Sequence, residues 1–208
     1  MADSFSQVGL FNAVLSKYPQ ILEMLLGNTC GKIWMIGGSV VKVIRDYIRD
    51  PNHTYEFDYW NLYSIGDFPF RDFDFIVEEF DPDFRVLPGW EKQVNTFGGI
   101  KLVRRSPFRD QMIVVDMWKL SQHEPCRRHG LSYTIENVLQ LTPLTIQSVA
   151  VELRSGRIVG EVGIRAIRSR TVAVNHLQEA QNYCRVYDTT LESFISKKAR
   201  EYDFTPIL

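Results

Sequence analysis

The sequence predicts an α+β fold in which a small mixed sheet is flanked by helices. An apolar strand at residues 32–36 runs into a glycine pair and then into an amphipathic helix that reaches about residue 50. A second strand is expected at residues 71–77, and two more at residues 100–104 and 111–120. With 208 residues, 45% of them apolar, the chain is long enough to bury a substantial core between these elements.

The strand at residues 71–77 begins with two carboxylates. Successive side chains of a strand point to opposite faces, so Asp72 and Asp74 share one face while Phe73 and Phe75 take the other. Two adjacent carboxylates repel each other, and a fold gains no stability from placing them together. A hard divalent cation such as Mg²⁺ relieves this repulsion, because it prefers carboxylate oxygens.

A third acidic residue interrupts the apolar strand at residues 111–120. Asp116 shares a strand face with Met112, Val114 and Trp118. Burying a carboxylate there is costly unless it is paired or coordinated, so we expect Asp116 to be a metal ligand. If the sheet sets this strand beside the Asp72-Phe73-Asp74 strand, the three carboxylates converge.

The glycine pair precedes the first of the predicted core helices. Gly37 and Gly38 allow a sharp turn and a close approach of a ligand to the backbone, and Ser39 is expected to cap the helix. The free N–H groups of a helix N-terminus suit a triphosphate. The alternative is a tight strand-to-helix turn without a ligand, which the carboxylates downstream make less attractive.

Taken together, these motifs resemble the nucleotidyltransferases of the DNA polymerase beta superfamily. The match is nearest to the head domain of tRNA CCA-adding enzymes and bacterial poly(A) polymerases, and it covers roughly residues 31–175. The resemblance implies a palm-like, mostly antiparallel sheet and the transfer of an NMP from an NTP to an acceptor hydroxyl. It also implies two Mg²⁺ ions, with Mn²⁺ as an alternative. The residues that it assigns are Asp72, Asp74 and Asp116 as metal ligands and catalytic groups, and Gly37, Gly38, Ser39 and Lys42 around the phosphates.

The sequence departs from the family pattern in ways that favour a second interpretation. The head-domain motif commonly reads Gly-Gly-x-Val-Arg-Asp, whereas here Lys42 ends the run Gly37-Gly38-Ser39-Val40-Val41-Lys42. A later family motif, Asp-Phe-Thr-Ile-Asn-Ala, has Thr142 and Gln147 in place of its Asp and Asn. The chain also looks too short for the second domain that reads the incoming base. The alternative is therefore a catalytically silent module that serves as a binding or regulatory subunit.

Composition limits the compartment and the partners. The formal net charge is −1, so any contact with RNA depends on local basic clusters rather than on overall attraction. The three cysteines, Cys30, Cys126 and Cys184, show neither disulfide nor metal spacing, which indicates a reducing compartment. No apolar run approaches the length of about 20 residues that a membrane helix needs, and we expect a cytoplasmic protein that does not bind membranes.

The sequence divides into three predicted segments and is compatible with several acceptors. We expect an N-terminal helix over residues 1–30, the nucleotidyltransferase head over 31–175 and a C-terminal helical appendage over 176–208, with one helix across 177–202. The acceptor is an RNA end, a protein or a small molecule. The aromatic-rich insertion at residues 51–70 is expected to stack a base, dock a partner subunit or pack on the sheet. The histidines are dispersed along the sequence, and each is expected to be an isolated surface residue.

Overall fold

The computed structural model of the protein describes residues 19–50, 72–95, 98–105 and 112–208. The insertion at residues 51–70 and most of the expected N-terminal helix lie outside these ranges. The elements of the first half are α1 (Pro19–Asn28), β1 (Thr29–Ile36), α2 (Gly37–Arg49), β2 (Asp72–Phe80), β3 (Glu91–Val94), β4 (Ile100–Arg105) and β5 (Met112–Lys119). Those of the second half are α3 (Glu124–Arg128), α4 (Ile135–Gln140), β6 (Ala150–Glu152), β7 (Ile158–Val159), α5 (Glu161–Ser169), β8 (Thr171–Val172), α6 (Leu177–Val186), α7 (Leu191–Tyr202) and β9 (Thr205–Pro206).

Seven strands form the main sheet, in the order β3-β4-β5-β2-β1-β6-β7. Strands β2 and β5 run parallel, and the other neighbouring pairs in this sheet are antiparallel. Strands β8 and β9 form a separate parallel pair. The predicted α+β fold with a mixed, mostly antiparallel sheet flanked by helices is confirmed.

The two faces of the sheet are covered differently. Phe73 and Phe75 of β2 are fully buried in the larger core, where α1, α2 and the later helices pack against the sheet. Ile76, on the opposite face, joins a smaller cluster with Trp34 of β1 and with residues of α3 and α4. This second layer covers only part of its face, and the carboxylates at the start of β2 lie beyond it.

Two stretches of the second half contain only short elements, and one local prediction was wrong. Residues 157–162 contain a two-residue strand, after which Gly160, at φ +101, leads into α5. Residues 124–130 contain the short helix α3. The helix predicted over residues 177–202 is two helices, because Asp188 has φ +47 and the Thr190 side chain accepts a hydrogen bond from the Ser193 N–H, which starts α7.

The C-terminal helices pack against the main core. Phe194, Ile195, Ala199 and Tyr202 of α7 are all buried in the larger cluster that also contains Phe73 and Phe75. The Arg45 side chain of α2 donates a hydrogen bond to the Tyr202 carbonyl, at 3.4 Å. These contacts bring the end of α7 to the glycine pair at the start of α2.

Candidate functional site

The parallel pairing of β2 and β5 brings the predicted carboxylates together. Asp74 lies directly opposite Asp116, and Asp72 lies opposite Val114. Because paired residues on neighbouring strands point to the same face, Asp72, Asp74 and Asp116 form one acidic surface. Asp72 is exposed, whereas Asp74 and Asp116 are partly buried.

Asp74 is electrostatically the most perturbed of the three. Burial raises its pKa to about 7, and the negative charges of Asp116 and Asp72 act in the same direction. The positive charges of Lys198 and Lys101 lower the pKa but do not cancel these effects. A cation bound beside this carboxyl group would lower its pKa, since the cation would offset the charge repulsion that burial intensifies.

Asp116 is held by two neighbours. Asn95 donates a hydrogen bond to one carboxylate oxygen, at 3.1 Å, and the Lys101 ammonium lies 3.8 Å from the other. Asn95 is itself fixed by the Gly99 N–H, which donates to its amide oxygen at 2.8 Å. Neither the Asn95 contact nor the Lys101 contact with Asp116 was predicted from the sequence, although the Asn95-to-Gly99 turn between two strands is a recognisable hairpin signal.

The glycine pair lies directly against this acidic surface. Gly37 has φ +77, and a Cβ atom on it would come closer than 3 Å to Oδ2 of Asp74, a separation that real Cβ atoms do not reach. A Cβ on Gly38 would lie 2.6 Å from the Tyr202 hydroxyl. The start of α2 therefore approaches Asp74 on one side and α7 on the other, and only glycine fits at position 37.

Ser39 does not have the predicted capping role. The N-cap of α2 is Ile36, and the Ser39 hydroxyl donates instead to the backbone carbonyl of Asp72, at 2.5 Å. This bond ties the first turn of α2 to the beginning of β2. The capping prediction failed because the helix starts at the first glycine, two residues before the serine.

Cations from two elements act on the acidic surface, and the predicted Lys42 lies on a third element. Lys42 is in the second turn of α2, partly buried; burial lowers its pKa, and the charges that act on it are those of Asp46 and Arg45. Lys101 comes from β4, opposite Asp116, and Lys198 comes from α7, where Glu201 accepts from its ammonium at 2.8 Å. Of these three lysines, only Lys42 was predicted from the sequence to bind phosphates, because nothing local in the sequence connects Lys198 with Asp74.

The described histidines are not isolated surface residues, so that prediction was wrong. The ligand atoms of His129, His176 and Glu179 all lie within 4.8 Å of one another. His129 Nε2 is 2.7 Å from one Glu179 oxygen, and the Arg128 guanidinium is 3.4 Å from the other. Because both carboxylate oxygens already have partners, this cluster is interpreted as a buried ion-pair network between α3 and α6.

The aspartates have the donor chemistry that Mg²⁺ prefers, namely carboxylate oxygens on a partly exposed surface. Burial, together with the negative charges of Asp116 and Asp72, makes the Asp74 carboxylate costly to ionise, and a cation on this surface would reduce that cost. Because Asp72 is exposed at the rim, an ion bound there would keep coordination positions for phosphate oxygens or water.

Comparison with known proteins identifies the fold. A CCA-adding enzyme in complex with ATP aligns with 94% of this chain and 41% of its own length, at 16% identity and a TM-score of 0.50. A tRNA-processing enzyme in its apo form I aligns with 93% of this chain and 44% of its own, at 15% identity and a TM-score of 0.50. The chain spans less than half the length of either structure.

The likeness to these structures confirms the predicted nucleotidyltransferase head fold. No protein-family model and no curated protein matches the sequence. Within the described part of the chain, every helix is too short or too polar to cross a membrane.

Proposed function

We propose that this protein is a nucleotidyltransferase that moves an NMP from an NTP to an acceptor hydroxyl. The observation that carries the proposal is the pairing of Asp74 with Asp116 beside a glycine pair at the start of α2. A cytoplasmic location accords with this proposal. The ATP present in one of the structures with this fold supports a nucleotide as the ligand.

The acidic surface is assigned to metal binding. Asp72, Asp74 and Asp116 would hold Mg²⁺, or Mn²⁺ in its place, and the bound ions would neutralise charge on the reacting phosphate. Asp116, held in position by Asn95 and Lys101, takes the proton of the acceptor hydroxyl. The hydroxyl oxygen forms a bond to the α-phosphorus, and the bond to the β-phosphate oxygen breaks, so that pyrophosphate leaves.

The start of α2 is assigned to the β- and γ-phosphates. The first N–H groups of a helix have no partner within the helix, and those of Gly37, Gly38 and Ser39 would donate to phosphate oxygens. Lys42 in the second turn contributes positive charge, and Ser39 holds the turn against β2 through its bond to Asp72. The three carboxylates and the glycine pair assigned here all lie within residues 31–175, the range expected for the head domain.

The acceptor is proposed to be an RNA end, with a protein side chain or a small hydroxyl compound as the alternatives. A tRNA-processing enzyme among the structures with this fold favours RNA. Partner binding through residues 51–70 is a separate proposal that the described residues do not address.

The decisive experiment is isothermal titration of each NTP with Mg²⁺, comparing the wild type with Asp74→Asn and Asp116→Asn. Each substitution keeps the side-chain shape and removes a ligand charge, and Asp83→Asn at an exposed turn is the matched control. We expect binding that depends on Mg²⁺ in the wild type and the control, and at least a tenfold loss in the other two variants. Failure of every NTP to bind the folded wild type would overturn the proposal.

A labelled-NTP transfer assay with RNA and protein acceptors then separates the two functional candidates. Transfer that Asp74→Asn abolishes would establish the enzyme. NTP binding without transfer to any acceptor would favour the silent regulatory module, which the altered arginine position of the glycine motif also favours.

A further inference from the structure

A cavity of about 310 Å³ adjoins the acidic surface on the same face of the sheet. Its floor is formed by Ile36, Ile76 and Trp118. Ile36 pairs with Asp74 across β1 and β2, while Ile76 and Trp118 form the next pair on this face after Asp74 and Asp116. Two residues along a strand span about 7 Å, so the cavity begins one step beyond the carboxylates.

Another part of the cavity wall comes from α6 and from Tyr187, which follows it. Asn182, Tyr183, Val186 and Tyr187 line it, and the Tyr183 ring stacks on Phe194 of α7 with centroids 4.0 Å apart. This stacking fixes the aromatic wall before any ligand binds. Predominantly apolar walls with a few polar groups are typical of small-molecule pockets, whose volumes start at about 300 Å³.

Asn182 carries an unused hydrogen-bonding group in this wall. Its side-chain amide nitrogen is buried and has no hydrogen-bond partner among the described residues. A buried polar group without a partner costs stability, commonly about 1–3 kcal/mol, and such groups are rare in native proteins. An amide that turns toward the cavity would find its partner in a ligand.

The charges around the cavity favour an uncharged ligand group. Arg128 forms ion pairs with both Glu124 and Glu179, so its charge is already neutralised by two carboxylates. Arg127 also pairs with Glu124, at 4.0 Å, so these four side chains carry no net charge. A phosphate would meet only cations that are already paired, whereas a neutral, flat heterocycle would meet aromatic faces and one amide.

We propose that this cavity holds the base of the incoming nucleotide, with Asn182 hydrogen-bonding to its edge and Trp118 contacting its face. The inference rests on the proposed nucleotidyl transfer, because the cavity is placed one strand step from the site assigned to the α-phosphate. The residues of this chain would then form a base pocket beside the acidic surface. An amide both donates and accepts, so Asn182 contributes to selection among bases.

The test compares NTPs with inorganic tripolyphosphate, which carries the same phosphates and no base. Each ligand is titrated with Mg²⁺ into the wild type, into Asn182→Leu, and into Gln181→Leu as the matched control at the exposed neighbouring position of α6. We expect the wild type to bind at least one NTP about ten times more tightly than tripolyphosphate. Asn182→Leu should lose about tenfold in affinity for that NTP and none for tripolyphosphate.

Thermal unfolding distinguishes a binding role from a structural one. Asn182→Leu removes an unpartnered amide and retains a similar volume, so its melting temperature should equal or exceed that of the wild type. Quenching of tryptophan fluorescence by the NTP, lost in Trp118→Phe, would place the base against the cavity floor.

Three outcomes would overturn the proposal. Equal affinities of the wild type for NTP and tripolyphosphate would show that the phosphates bind and that the base contributes nothing, which would refute the base pocket. An equal loss of affinity for both ligands in Asn182→Leu would show that Asn182 stabilises the whole site and does not bind the base. If neither ligand binds the folded wild type, the proposed nucleotidyl transfer fails as well, and the base pocket fails with it.

Discussion

Asp74 and Asp116 lie directly opposite each other on two parallel strands, β2 and β5. Asp74 also faces Gly37, whose missing side chain leaves room for its carboxylate. Burial and the neighbouring negative charges raise the pKa of Asp74 to about 7, which means that the protein keeps an electrostatic conflict at this point. Such a conflict is typical of functional sites, where a ligand resolves it.

This conflict predicts that Asp74→Asn stabilises the metal-free protein at alkaline pH. The pKa of Asp74 is raised in the folded state, so between about pH 4 and pH 7 the unfolded chain loses a proton that the folded chain keeps. The free energy of unfolding therefore falls as pH rises through this window. The pKa of Asp74 rises from 3.8 to about 7, so we expect Asp74→Asn to be more stable than the wild type by on the order of 4 kcal/mol at pH 8, and by little at pH 3.

Urea unfolding in EDTA at both pH values measures this difference, with Asp83→Asn as the exposed control. Adding Mg²⁺ at pH 8 should stabilise the wild type and leave Asp74→Asn unchanged. A stability difference that is the same at pH 3 and pH 8 would contradict the electrostatic explanation.

A second prediction concerns the glycine that touches Asp74. Gly37 and Gly89 both have positive φ, but a Cβ on Gly89 would meet nothing within 4 Å, whereas one on Gly37 would collide with the Asp74 carboxylate. Substitution by alanine should therefore cost about 1–2 kcal/mol at Gly89, from backbone strain alone. At Gly37 the cost should be larger, since Asp74 must also move.

Chemical denaturation of Gly37→Ala and Gly89→Ala measures these costs, and NTP titration measures the effect on the site. We expect Gly89→Ala to bind NTP as the wild type does, and Gly37→Ala to lose binding even under conditions where it remains folded. Wild-type NTP affinity in Gly37→Ala would show that the contact with Asp74 is unimportant for the ligand.

The third prediction assigns part of the phosphate-binding charge to α7. Lys198 acts on Asp74 from across the site, with 23% of its side chain exposed. Its substitution by methionine keeps most of the aliphatic chain and removes the charge, so NTP affinity should fall several-fold and depend less on salt. Lys197→Met, at the exposed neighbouring position, is the matched control.

Titrations at low and high salt measure both effects. Indistinguishable affinities and salt dependence for Lys198→Met and Lys197→Met would exclude a role for Lys198 at the phosphates.

The parts of the site that lie within one strand or one turn were predictable from the sequence. Alternation placed Asp72 and Asp74 on one face, and the apolar context marked Asp116 as unusual. Which strands are neighbours was predictable only through the family resemblance. The alternation of side chains along a strand indicates which face of the sheet they share, but it does not specify which strand lies alongside.

The remaining site residues depend on contacts between distant segments. Tyr202 lies against Gly38, more than 160 positions away in the sequence, and Asn182 lines the same cavity as Trp118, more than 60 positions away. Their own segments show ordinary helical patterns, so no local signal indicates a site. One boundary could have been found: Thr190 and Ser193 have the spacing of a helix N-cap, which divides the predicted single helix in two.

The fourth prediction tests the interpretation of the His129 and Glu179 cluster as an ion-pair network. Only 6% of the Glu179 side chain is exposed, and its two oxygens face His129 and Arg128. Glu179→Gln removes the charge from a buried pair and should lower the free energy of unfolding by about 2 kcal/mol, less than for a fully buried pair because Arg128 is 35% exposed. The exposed Glu136→Gln serves as the control.

Zinc separates this network from a metal site built on the same residues. Because both Glu179 oxygens already have partners, added Zn²⁺ should leave the melting temperature of the wild type unchanged in a thermal unfolding series. A rise in melting temperature with Zn²⁺ that Glu179→Gln abolishes would instead show that His129, His176 and Glu179 bind a metal ion. In that case the stability lost in Glu179→Gln without zinc would measure the contribution of the ion pairs alone. The further stability that zinc adds to the wild type would measure the contribution of metal binding.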